Sequence, residues 1–134
     1  MRNPQPVAGF RIDVLGDVLR LEVDGVVAER RSMDAVASAV EAARKNGCPC
    51  ILFDIRKANH PDYHASVVRR ADAAVATGIT KFRIAILGTS GSPLLAFIEN
   101  VAMNRGLPAR CFTEESAAMR WLRANPVDHP PEGK

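Results

Sequence analysis

The sequence predicts an α/β fold. It is a single-domain mixed sheet whose N-terminal antiparallel hairpin leads into parallel β-α units, in the order β-β-α-β-α-β-α-β-α. Three observations predict it. The stretch "FRIDVLGDVLRLEVDG" places apolar residues at alternate positions on both sides of a Gly-Asp pair, as a tight hairpin with one buried face does. Two later runs, "CPCILFDI" and "FRIAILG", are continuously apolar, as strands covered on both faces are. Segments of helical periodicity separate these runs, and that alternation builds a parallel sheet through right-handed crossovers.

Each element follows from local chemistry. Residues 1–9 carry two prolines and read as a loose arm. Phe10, Ile12 and Val14 alternate along the first strand, and Val18 or Leu19, Leu21 and Val23 along the second, which Gly25 ends. Ser32 is placed to cap a first helix, with Asp34 in its first turn. Met33, Val36, Val40 and Ala43 form its inner face, Glu41 and Lys45 an i,i+4 pair on its outer face, and Gly47 stops it. The buried strand "CPCILFDI" ends at Asp54. Pro61 suits the first turn of a second helix, whose stripe is Val67, Val68, Ala71, Ala74 and Val75 and which ends near Gly78. After "FRIAILG", Ser92-Pro93 opens a third helix. Leu94, Leu95, Ile98, Val101 and Ala102 face inward from it, and Asn104-Arg105-Gly106 closes it. "ARCF" is a short last strand. Thr113 caps a final helix that Ala117, Ala118, Trp121 and Leu122 anchor to the core, and a proline-rich tail follows. The domain thus spans residues 10–124, with flexible termini at 1–9 and 125–134.

Composition narrows the classes of function. The chain has 134 residues, a net charge of +3, 47% hydrophobic and 25% charged residues, all ordinary for one globular domain. Aromatic residues are 5%, and the pairs Arg30-Arg31 and Arg69-Arg70 lie far apart, so neither base-stacking platforms nor a basic run points to nucleic acid. Three cysteines suit a reducing compartment better than a disulfide framework. Cys48 and Cys50 flank a proline with no second ligand pair at zinc spacing, so they read as small buried hydrophobes. The first residues hold no apolar signal core, and no apolar run approaches the ~20 residues of a membrane span. A cytoplasmic location is the expectation.

The order of elements and its joints resemble the STAS superfamily, the domain of bacterial anti-sigma-factor antagonists and of sulfate-transporter cytoplasmic regions. The residues carrying the likeness are "DVLRLEVDGVV", "LFDIRKA", "FRIAILG", "RCF" and "AAMRWL", across about residues 10 to 124. The chain looks most like small bacterial STAS-like proteins that are also compared with CRAL-TRIO lipid-transfer domains. In the antagonist branch a strand-terminal Asp is followed by a second Asp that introduces a Ser-Ser-Gly helix start, one serine being a phosphorylation switch. Asp54 and Asp62 match the two acids. Tyr63, His64 and Ala65 stand where the Ser-Ser-Gly would be, and Ser66 comes one position late. The resemblance therefore implies the fold and a partner-reading surface at Arg56, Asp62, Tyr63 and His64, without the serine switch.

A second candidate site is the turn Gly88, Thr89, Ser90, Gly91 and Ser92 with Asp54 on the same rim. Backbone N–H groups at a helix start favour an anion, and open α/β sheets keep ligands at the carboxyl ends of their strands. No Walker lysine and no dinucleotide fingerprint accompanies it, so the turn also reads as a plain helix cap. A phospho-receiver reading fails for want of an acidic pair after the first strand and a lysine after the last. His60 and His64 are four apart, but Pro61 places His60 before the helix and no third metal ligand is evident. Met33, Met103 and Met119 read as core fillers. No catalytic constellation, metal or cofactor is expected. The expected function is a non-catalytic STAS-like module binding a protein partner. The alternatives are a binder of a small anionic or lipid-like ligand and, more remotely, an enzyme. A homodimer is possible, since one helix face does not obviously bury both Leu95 and Phe97.

Overall fold

A computed structural model describes residues 9–26, 29–59, 64–90 and 93–124. Its strands are β1 (Phe10–Leu15), β2 (Val18–Val26), β3 (Cys50–Asn59), β4 (Arg83–Leu87) and β5 (Ala109–Phe112). Its helices are α1 (Glu29–Lys45), α2 (His64–Ala76), α3 (Pro93–Asn104) and α4 (Glu115–Ala124), with a short 3₁₀ turn at Ile79–Lys81 that the sequence did not announce. One sheet runs in the order β1-β2-β3-β4-β5, antiparallel at β1-β2 and parallel thereafter. This is the predicted mixed fold.

The hairpin closes through Gly16, whose φ of 65° supplies the positive dihedral that a two-residue turn needs. Leu15 then faces Val18 and Phe10 faces Val23. Gly47, also at φ 65°, ends α1 in a Schellman motif, with its N–H donating to Arg44 O and that of Cys48 to Ala43 O. The same pattern at Gly106 and Leu107 closes α3.

Sequential parallel neighbours put α1, α2 and α3 on one face of the sheet. Leu19, Leu21, Ile51 and Ile84 pack there against Ala39, Val40, Ala43, Ala74 and Ala102. The opposite face receives α4, whose Ala118 and Leu122 cover Val18, Cys50, Leu52, Ala85 and Leu87. A ten-residue helix roofs only part of that face. It leaves β1 and the outer part of β2 on that side without a covering helix, and most side chains there are charged: Arg11, Asp13, Arg20 and Glu22.

Several local expectations change. α1 begins at Glu29, so Ser32 lies inside it, and Glu41 pairs with Arg44 at 3.0 Å rather than with Lys45. β3 does not stop at Asp54 but runs on to Asn59, because β2 continues to pair with it through Val26. Val14 is 47% exposed, since the tip of the hairpin extends past the helices. Met103 is 67% exposed and fills no core gap. The Glu114 carbonyl accepts the first helical bond of α4 from Ala118, one residue beyond Thr113. In α3, Leu95 is buried and Phe97 half-buried, so the helix exposes neither.

Candidate functional site

Charges on this part of the face converge on Asp54. Its side chain is almost wholly buried, and it is the one charged residue in the buried set of the described residues. Arg56 grips it twice over. Its Nε donates to Oδ1 at 3.0 Å, its Nη2 to Oδ2 at 2.8 Å, and its backbone N–H to Oδ1 at 3.1 Å. Arg20 Nη2 donates to Oδ2 from the neighbouring strand.

Two further carboxylates bind these arginines. Glu115, the first residue of α4, accepts from Arg56 Nη2 at 3.1 Å, and its other oxygen lies 3.5 Å from Arg20 Nε without hydrogen-bond geometry. Glu22 lies 3.5 Å from Arg20, 3.8 Å from Arg11 and 3.3 Å from Lys57. A helix start and three neighbouring strands are thereby tied into one ionic cluster.

A β-bulge places two of these cations. Glu22 faces Asp54, but Asp24 faces Lys57, so β3 holds one residue more than β2 in this interval. In a regular strand consecutive side chains would point to opposite faces. Here Arg56 and Lys57 both reach the face bearing Asp54 and Glu22. Arg56 remains 39% exposed at its side chain and Lys57 65%, so this edge of the cluster stands in solvent.

The electrostatics favour the charged forms of Asp54 and Arg56. Burial pushes the Asp54 carboxyl up, but hydrogen bonds from Arg56 and the charges of Arg20 and Arg56 outweigh it and hold the group below its ordinary value. The Arg56 guanidinium is held above its own. Three guanidinium donors and the Arg56 backbone N–H fill the roughly four lone-pair positions of the carboxylate, so none is left free to attack or to take a proton. The cysteines are equally unsuited to nucleophilic work. Burial pushes Cys50 up to about 11 and Cys111 up to about 12, and raises Cys48. Among the described residues no His, Cys, Asp and Glu group could hold a metal ion.

The second predicted site shares this edge. Asp54 pairs with Leu87, the residue before Gly88, so the expected common rim is present. Thr89 and Ser90 are exposed there. The buried Gly88 has a packing reason for its lack of a side chain: a Cβ would lie 2.6 Å from Leu95 Cδ2. Its N–H donates to Phe112 O at 2.9 Å and is not turned toward a ligand. Gly91, Ser92, Asp62 and Tyr63 lie outside the described residues, and His64 is the first residue of α2.

Arg20, Glu22, Lys57 and Glu115 escaped the sequence reading. A signal for two of them was available: a two-residue turn at Gly16-Asp17 sets Arg11 opposite Glu22 and Asp13 opposite Arg20. The long-range pairing with Asp54 and Glu115 had no local sign.

No protein-family model and no curated protein sequence matches the chain. Solved structures do. One is an uncharacterised DUF3478-family protein with a SpoIIAA-like fold from Shewanella loihica, at TM-score 0.58 and 20% identity, covering 91% of this chain and 98% of that one. Another is an anti-sigma factor antagonist from Mycobacterium paratuberculosis, at TM-score 0.57 and 12% identity, covering 85% of this chain and 92% of that one. The fold of this chain is the SpoIIAA-like, STAS fold.

Proposed function

We propose that this SpoIIAA-like domain is a non-catalytic regulatory module that binds a protein partner through the charged edge of the sheet at Asp54, where α4 begins. The observation that carries the reading is the Asp54 cluster. It fixes Arg56 rigidly while leaving part of that side chain, Lys57 and Glu115 in solvent. A preorganised set of charges loses little side-chain entropy on docking and gives specificity for a complementary partner. Arg56, Asp62, Tyr63 and His64 are the residues assigned to that surface. One solved structure of the same fold is that of an anti-sigma factor antagonist, which supports a regulatory role.

The chemistry of the site favours binding over turnover. Asp54 is saturated by donors, and the cysteines are held as thiols. The reading carries no serine switch, because in the sequence Tyr63, His64 and Ala65 stand where the antagonists' Ser-Ser-Gly would be. The alternative, an anionic or lipid-like ligand at residues 88–92, is the weaker, because the Gly88 N–H already has a carbonyl partner.

The test is quantitative capture of partners from lysate by the wild type, Lys57→Glu and Tyr63→Ala, with circular dichroism as the folding control. A protein bound stoichiometrically by the wild type, and lost by both folded variants, supports the reading. Capture unaffected by both substitutions, or stabilisation by a phosphorylated compound or fatty acid instead, overturns it.

A further inference from the structure

β1 is the last strand on its side of the sheet, and among the described residues no strand pairs with its outer edge. Its tip is apolar and exposed at Val14 and Leu15. Such an edge is a template for another strand unless charge, proline or a bulge blunts it. The charges on this one, Arg11 and Asp13, are of opposite sign and lie two residues apart on the uncovered face.

The backbone sets which residues can receive a partner. Asp24 N–H donates to Gly9 O at 2.7 Å, so Gly9 and Asp24 are a hydrogen-bonded pair of the antiparallel ladder. Counting on by twos, Arg11, Asp13 and Leu15 turn their polar groups inward to β2. Phe10, Ile12 and Val14 turn theirs outward.

We propose that two copies of this chain pair antiparallel through β1, about a two-fold axis at Ile12, into one continuous sheet. In this register Ile12 exchanges both of its backbone bonds with Ile12 of the second copy, and Phe10 does so with Val14. Arg11 of each copy then stands directly opposite Asp13 of the other in the closer, non-hydrogen-bonded pairing. The neighbouring registers permitted by the backbone are disfavoured: centring on Arg11 opposes two arginines, and centring on Asp13 opposes two aspartates. The isologous contact is closed, so it ends at a dimer rather than a fibre. It also sets the two uncovered charged faces side by side.

Sedimentation velocity over a concentration series tests this on the full chain. The wild type is expected to form a dimer. Asp13→Arg alone weakens the association roughly tenfold or more by opposing like charges. Arg11→Asp alone weakens it likewise. An equimolar mixture of these two variants regains a dimer, now a heterodimer, because each Asp again meets an Arg. Val14→Pro, which removes an outward N–H that the fold does not use, gives a folded monomer by circular dichroism. A wild type that stays monomeric throughout overturns the proposal, as does a dimer indifferent to Val14→Pro or a variant mixture that does not associate.

Discussion

Arg56 holds Asp54 through three donors of one residue, its Nε, its Nη2 and its own backbone N–H, at 3.0, 2.8 and 3.1 Å. The pair lies within one strand, two positions apart, where both side chains share a face. Arg20 from β2 and Glu115 from α4 then lock onto it. This edge of the sheet thereby carries charges whose positions the fold itself fixes.

Removing Asp54 leaves Arg20 and Arg56 without their central acceptor. Arg20 is largely buried, so its charge cannot fully rehydrate. Asp54→Ala is expected to lower stability by about 3 kcal/mol, the range for breaking a buried ion pair. The shift in urea midpoint at constant m-value measures it. A loss no greater than that of an ordinary surface substitution contradicts the central role given to Asp54.

The pH dependence follows from the same pair. The folded-state pKa of Asp54 lies below its unfolded value of about 3.9. The unfolded chain therefore binds the proton first, and the contribution is complete above that value. It is lost as pH falls from there through the folded-state pKa. Denaturant midpoints between neutral pH and this acid range should fall less steeply in Asp54→Asn than in the wild type.

The thiols shift the opposite way. With Cys50 at about 11 and Cys111 at about 12, the unfolded chain releases these protons first, at about 8.5. Their contribution is present below that value and lost as pH rises through 11 and 12. At mildly alkaline pH a thiol reagent should label the folded protein far more slowly than the urea-unfolded one. Equal rates would mean that the thiols are not held as described.

Gly88→Ala tests whether that glycine serves packing. The added methyl meets Leu95 at 2.6 Å, and Leu95 is itself buried. Overpacking of this kind costs about 1–2 kcal/mol. In Gly88→Ala combined with Leu95→Ala, the double loss should be smaller than the sum of the single losses, because each relieves the other. Strict additivity would argue that the two positions do not touch.

Trp121, the only tryptophan in the sequence, reports on the other side of the cluster's helix. The Arg83 guanidinium lies 4.2 Å over its ring, and the Phe112 ring centre is 5.6 Å away. Arg83→Ala is expected to cost about 1 kcal/mol and to change the fluorescence of the folded state. Arg83→Lys should restore part of both. An unchanged emission spectrum in Arg83→Ala would remove the stacked cation.

The elements with strong local periodicity were legible in the sequence. The hairpin announced itself through alternation around Gly16-Asp17, and β3 through a run of buried apolar residues from Cys50 onward. The caps at Gly47 and Gly106 fell where expected, because a left-handed residue there depends on backbone sterics alone. Strand ends were less legible. Asp54 reads locally as a terminus, yet β3 continues for five more residues because β2 is there to pair with them.

By itself the sequence determined the order of elements, the parallel core and the rim shared by Asp54 and Gly88. These depend on side-chain period and turn chemistry, which are properties of neighbours along the chain. Only the tertiary structure decided that Asp54 would be buried under Arg20, Arg56 and Glu115. Asp54 and Arg20 are 34 positions apart and Arg56 and Glu115 are 59, and a bulge of one residue chose the face on which Lys57 joins them. Ionic partnership is fixed by distance in space, and no spacing along the chain encodes it.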